Sequence, residues 1–313
     1  MDLSLFFAGT AGSVPSARRG LPALLLRRGG DRVLFDCGEG TQRQLLRSVG
    51  LPDISAVFIT HLHTDHWLGL PGMLKTFDMR DRDAPLDVFG PPGTAALLRA
   101  MRVVYGRVGY PFEMTEVESG DSIAFDGFDV AAFNVRHRGR AFGYAIAEAG
   151  RPGRFDADLA AELGVPFGPD FGRLQRGETV NGVSPDRVVG PERAGRRIVI
   201  SGDTAPCDML REAARGADVL VHEATFTESE RERAMETGHS TAQQAAELAA
   251  EVDVRMLALT HLSSRYAGGE IRDEARAVFE RTEVPRDFDV IDVPFPERGA
   301  PELRRYDAEA APA

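Results

Sequence analysis

The chain has 313 residues, 43% apolar and 27% charged, a composition that supports a large single core without disulfide staples. No apolar run nears the ~20 residues of a membrane span. Met1-Asp2-Leu3-Ser4 lacks a signal peptide's basic start and apolar stretch, and Cys37 and Cys207 are the sole cysteines, expected as buried reduced thiols, so a cytoplasmic protein with no membrane partner is expected.

The first half reads as short strands joined by tight turns. Leu3 to Phe7 is a strand, and Ala23 to Leu26 and Val33 to Phe35 flank a Gly29-Gly30-Asp31 hairpin turn. Thr41 to Val49 reads as a helix, Ile54 to Thr60 as a buried strand, and Gly69 to Phe77 and Thr94 to Tyr105 as helices. Ser122 to Phe125 and Phe128 to Val135 form a second hairpin, followed by a strand at Gly143 to Ala147. The stretch 150–195 is rich in Gly, Pro and charge, with one helical piece at Asp156 to Leu163. Its length marks it as functional or as a projecting subdomain. Beyond it come strands at Arg197 to Ser201, Val219 to His222 and Met256 to Thr260, a helix at Thr241 to Glu251, and a tail from Pro301 to Ala313 expected to fray. Two strand-rich halves fit a two-sheet sandwich.

The charge of −11 counts against a nucleic-acid partner until its distribution is read. From Asp203 onward stand 24 acids and 13 bases, which is the whole excess; the first 202 residues balance. Every base but Lys75 is arginine, whose planar fork suits phosphate. Arg18, Arg19, Arg27, Arg28, Arg43 and Arg47 near the N-terminus, and Arg136, Arg138 and Arg140 around His137, can form a local basic face or remain solvated surface charge.

The chemistry concentrates in His61-Leu62-His63-Thr64-Asp65-His66, behind the buried strand. Alternate residues of an extended segment point the same way, so His61 and His63 can grip one ion, while Asp65 and His66 can face a second as the chain turns into a helix. Imidazole and carboxylate suit zinc. His137, Asp203 and His261, each just after an apolar strand, supply further ligands.

This H-x-H-x-D-H run resembles the signature of the metallo-β-lactamase superfamily, an α/β fold with an αββα sandwich and two metals between its sheets. Within it, "FAGTAGSVPS", "LFDCGEGTQRQL", "LGLPGML", "SGDT", "HEATF", "HST" and "THLSSRY" resemble the ribonuclease Z family, over nearly the whole chain. The resemblance implies a zinc-dependent endoribonuclease that removes the 3′ trailer of precursor tRNA, acting as a homodimer. It implies two Zn2+ per chain, one held by His61, His63 and His137, the other by Asp65, His66 and His261, with Asp203 bridging. It makes Asp65 catalytic and Glu223 with His239 the second catalytic pair. It makes 1–313 one domain, with 150–195 inserted as the flexible arm that holds tRNA, carrying Gly168-Pro169, Gly172 and Gly177 of the arm's motif. That arm's grip would rest on Arg151, Arg154, Arg173 and Arg176. Lys75 to Arg82 is the expected CCA-discriminating region. Ala205 stands where the family has arginine after Gly-Asp-Thr.

Two other readings use the same residues. A hydrolase of small phosphodiesters, esters or lactams needs the ligands but no arm, and a non-catalytic RNA-binding protein has no use for an intact ligand set.

Overall fold

The computed structural model describes residues 2–307, whose strands build two stacked sheets. The chain first lays down β1 (Leu3–Gly9), β2 (Ala23–Arg28), β3 (Asp31–Phe35), β4 (Ala56–Phe58), β5 (Leu86–Gly90) and β6 (Phe112–Glu116). It then makes β7 (Ser122–Phe125), β8 (Phe128–Asn134), β9 (Phe142–Glu148), β10 (Arg197–Ile200), β11 (Val219–Glu223), β12 (Leu257–Thr260) and β13 (Thr282–Glu283). Finally β14 (Val290–Asp292) and β15 (Glu302–Arg304) return to the first sheet. The sheets run β15-β14-β1-β2-β3-β4-β5-β6 and β13-β12-β11-β10-β9-β8-β7. β3 to β6 pair in parallel, as do β10 to β13.

Alternation along each strand makes the layers. Leu3, Leu5 and Phe7 of β1, with Leu26, Val33 and Phe58, meet Val130, Tyr144, Ile146, Ile198 and Val221 of the other sheet. Phe6 and Ala8 turn outward, where Leu25, Leu34 and Val57 join Leu45, Met73, Leu74, Phe77 and Leu98 of the covering helices. The other sheet is covered likewise by Leu210, Ala245, Ala246, Leu248 and Ile271. This is the expected αββα sandwich, and a strand buried on both faces reads as a continuous apolar run. The helix Ala242–Glu251 starts on a capping box between Thr241 and Gln244.

Several elements differ from expectation. β4 is shorter than 54–60, and β5 and β6 were not expected. The tail is corrected in part: β15 pairs antiparallel with β14, Arg304 pairs with Asp292, and Tyr306 packs edge-on against Phe288. The remainder of that tail, 308–313, lies outside the described residues. Cys37 is buried as expected, but Cys207 is only partly buried, at the edge of the core under the second sheet's helices.

The 150–195 stretch leaves after β9 and returns into β10. It has two α-helices, Ala157–Glu162 and Pro169–Gln175, the second not expected, a 3-10 turn at Pro185–Arg187, and a small core of Ala160, Val165, Leu174, Val180, Val183 and Val188. Its two ends pair through Arg151 and Arg193, and both guanidinium groups bind Glu297, at 2.8 and 3.1 Å. Arg151 also lies 3.5 Å from the Phe295 ring centroid. Arg173 is held by Asp170 and Glu178, and Arg176 lies 3.6 Å from Glu178. Three of the four arginines expected to grip RNA therefore already face carboxylates of the protein.

Candidate metal centre

The side chains gather at the C-terminal ends of strands, where parallel sheets leave room for ligands. Behind β4, the Tyr144 hydroxyl donates to the Ile59 carbonyl at 2.7 Å and fixes the exit of the chain. His61 then bridges to Ala141 from across the sandwich. His63 precedes the short helix Thr64–Trp67, which carries Asp65 and His66. His137 follows β8, Asp203 follows β10, Glu223 ends β11 and His261 follows β12.

The structure brings all seven candidate ligands together. Ligand atoms of His61, His63, His137 and Asp203 lie within 4.8 Å of one another, as do those of Asp65, His66 and His261. Asp203 Oδ2 stands at the middle, 3.7 Å from His61 Nε2, 3.4 Å from His66 Nε2 and 3.3 Å from His261 Nε2. Asp65 Oδ2 lies 3.5 Å from the Nε2 atoms of both His66 and His261, and the Ser13 amide donates to it at 3.0 Å.

The opposite ring nitrogens are anchored. His66 Nδ1 donates to Asp36 Oδ2 at 2.7 Å, and His137 Nδ1 to the Gly238 carbonyl at 2.7 Å. The Thr60 hydroxyl donates to Asp36 and takes the His61 Nδ1 proton at 3.0 Å. The Thr225 hydroxyl, donating to Glu223 Oε2 at 2.6 Å, does the same for His261 at 2.9 Å. These partners leave Nε2 of His61, His66 and His261 bare, buried and without a hydrogen-bond partner. Buried nitrogen lone pairs aimed at a carboxylate are costly unless a proton or cation lies between them, and ligand histidines anchored through the far nitrogen are how protein metal sites are built. The donor set fits divalent zinc.

Electrostatics follow the same geometry. Burial pushes His61 and His137 down. Burial also opposes charge on His66, but Asp203 and Asp36 outweigh it and raise it well above the usual histidine range. The carboxyls of Asp65 and Asp203 are held far below theirs despite burial, chiefly by His261 and His66.

Beside this cluster, Glu223 Oε1 accepts from His239 Nδ1 at 2.8 Å. Burial disfavours the imidazolium, but the charge and hydrogen bond of Glu223, with Asp203, lift it to about 9. His239 also falls within ligand distance of Asp203 and His261, but its Nδ1 is committed to Glu223. His222 is instead a satisfied core histidine, its Nδ1 donating to the Glu223 carbonyl at 2.7 Å.

Two glycines make close approach possible. A Cβ on Gly12 would lie 2.7 Å from His261 Nδ1, and one on Gly38 would lie 2.3 Å from the Asp65 carbonyl. Asp36 and His261 both adopt positive φ, 58° and 56°, strain that the surrounding packing must hold. Asp36, Thr60 and Thr225 were not singled out by sequence reasoning, although Asp36 stands in the quoted "LFDCGEGTQRQL" directly after the β3 run and Thr225 in the quoted "HEATF". Ala205 is buried, and its amide donates to the Arg136 carbonyl at 2.8 Å.

A groove of about 1210 Å³ is lined by seven arginines, Arg18, Arg19, Arg43, Arg47, Arg272, Arg286 and Arg305, against three acids, Glu39, Asp287 and Asp289, with Ser263 and Ser264 just after His261; Arg272 pairs with Asp273 and Arg305 with Asp289. Four of these are arginines expected from sequence. Of the other five, Arg28 is buried against Glu148, Arg27 lies over Phe6, Arg138 donates to the Glu236 carbonyl, Arg140 pairs with Glu118 and Arg136 is exposed. Lys75 to Arg82 is the end of the helix Leu70–Met79 and the turn after it, with Lys75 on Asp78, Met79, Arg80 and Asp81 exposed, and Arg82 over Phe77 and Tyr110.

A profile described as a β-lactamase superfamily domain matches residues 31–169 and 187–262. A ribonuclease Z of Natronomonas pharaonis is 47% identical over 307 residues, covering 95% of this chain and all of the relative. One from Myxococcus xanthus is 48% identical over 270 residues, covering 84% and 88%. Among solved structures, the short form of human tRNase Z superposes with a TM-score of 0.68 at 29% identity, covering 93% of this chain and 99% of that one. Among the described residues no helix is long and apolar enough to cross a membrane.

Proposed function

The chain belongs to the ribonuclease Z family, endoribonucleases of the metallo-β-lactamase fold, and on that premise we propose that it cuts the 3′ trailer from precursor tRNA with two Zn2+ per chain. The observation that carries this is the convergence of three bare, buried Nε2 atoms on Asp203 Oδ2. His61, His63 and His137 would hold one cation, Asp65, His66 and His261 the other, and Asp203 both. Bound there, the pair supplies Lewis acidity to the phosphoryl oxygens and lowers the pKa of an attacking water.

The chain's own groups do the rest. Asp65, steadied by the Ser13 amide, accepts a hydrogen bond from the attacking water and orients it in line with the scissile phosphorus. His239, held by Glu223 through Nδ1, has Nε2 left to protonate the departing ribose 3′ oxygen. Water adds to phosphorus as the P–O3′ bond breaks, so the tRNA keeps a 3′-hydroxyl and the trailer a 5′-phosphate. The arginine-lined groove would draw the phosphate backbone toward the centre despite the overall charge of −11. The 150–195 arm would hold the tRNA body away from the chemistry.

A homodimer is part of the proposal. Leu46, Val49, Met79, Val103 and Val104 are exposed on or beside three packed helices, and this exposed apolar surface is what a second copy would cover. We assign the reaction to the cytoplasm, where free Cys37 and Cys207 are at home.

The test offers precursor tRNA beside bis(p-nitrophenyl) phosphate to zinc-loaded protein. Cleavage of both is expected. Turnover of the small ester alone would make the protein a small-substrate hydrolase, and turnover of neither would make it a binding protein.

A further inference from the structure

The arm carries an aromatic ring with nothing packed over it. Phe167 is 91% exposed, more than any other large apolar side chain among the described residues. It has one ring neighbour. Its ring meets Phe171 edge-on, centroids 5.7 Å apart, and Phe171 in turn meets Phe155 at 4.8 Å. Phe155 and Phe171 pack on the arm's own core, so three rings run from that core to the surface, with Phe167 outermost.

Charge explains only part of how this arm would grip RNA, since of its arginines Arg154 and Arg187 alone are exposed and face no carboxylate. Residues 150–195 contain seven acids and six arginines. Arg173 and Arg176 face Asp170 and Glu178, and Arg151 and Arg193 are tied to Glu297 at the root. What the arm does offer is a flat, solvent-facing aromatic ring at the end of a ring series rooted in its core. A folded RNA presents the matching surface wherever a base or terminal pair is left unstacked, and aromatic rings recognise it without phosphate contact.

We propose that Phe167 is the arm's contact with precursor tRNA, its ring stacking on an accessible nucleobase; the proposal rests on the arm's reading as the tRNA-holding element. Phosphate attraction then belongs to the arginine-lined groove, and the arm adds a charge-independent hold.

The experiment compares full-length wild-type, Phe167→Ala and Phe167→Trp enzymes with a variant whose residues 151–194 are replaced by a short Gly/Ser linker. For Phe167→Ala, KM for precursor tRNA should rise about 5- to 150-fold, the span of one base–aromatic stack. Its kcat, its hydrolysis of bis(p-nitrophenyl) phosphate and the salt slope of its KM should hold, because no cation is removed. Phe167→Trp should restore KM. A wild-type KM in Phe167→Ala, beside a raised KM in the arm-less variant, would overturn this inference and leave the arm's role intact. A wild-type KM in the arm-less variant would overturn the arm's role itself. Equal loss of both activities in Phe167→Ala would also overturn the inference, since the ring would then support the centre.

Discussion

The carboxylate of Asp36 accepts the Nδ1 proton of His66 at 2.7 Å, and with its two oxygens it also takes the amide and hydroxyl of Thr60, whose oxygen orients His61. One buried acid thus aligns a ligand of each candidate cation site. Replacing it by alanine frees both rings to rotate. Asp36→Ala should weaken cation binding about 10- to 100-fold, the usual share of such a partner, measured by competition with a chromogenic chelator. Unchanged affinity would remove Asp36 from the support of the centre.

His239 is assigned as proton donor rather than ligand, because its Nδ1 is bound to Glu223. His239→Ala should keep both zinc ions and lose turnover by ~10²–10⁴-fold. Loss of zinc from this variant would make His239 a ligand instead.

The same pair gives the cation-free protein a pH signature. The folded-state pKa of His239 is raised from 6.5 to about 9. Its contribution to stability is therefore fully present below about pH 6.5 and is lost as pH rises through about 9. Tm measured from pH 6 to 10 should fall through that window in the wild type and lose this component in Glu223→Gln. Identical slopes would show that the pair does not couple to folding.

Gly12 leaves no room for a methyl group, since its Cβ would sit 2.7 Å from both His261 Nδ1 and the His261 carbonyl. Gly12→Ala should displace the ring, cost about 1–3 kcal/mol of stability and lower zinc from about two per chain toward one. Full zinc content with wild-type turnover would show that the loop yields without cost to the site.

The parts of this centre legible in the sequence are the local ones. His61, His63, Asp65 and His66 lie within six residues, and their alternation carries its own geometry. His137, Asp203 and His261 could be named as candidates because each follows an apolar run. Asp36 could not, because its role depends on β3 lying parallel beside β4, a pairing no local pattern encodes. The arm's core was hidden for a similar reason: Val165, Leu174, Val180, Val183 and Val188 follow neither a helical nor a strand period. Its arginines looked available because Asp170, Glu178 and Glu297 become partners through folding. β5 and β15 are short and flanked by charge or proline, so their apolar residues did not stand out.

The most direct test of the account is the zinc content of protein purified without chelator, determined by elemental analysis and paired with cleavage of precursor tRNA before and after metal removal. The account predicts about two zinc ions per chain and cleavage that is abolished by chelation and restored by zinc. Protein that holds no transition metal, and cuts as well after chelation as before, would contradict it.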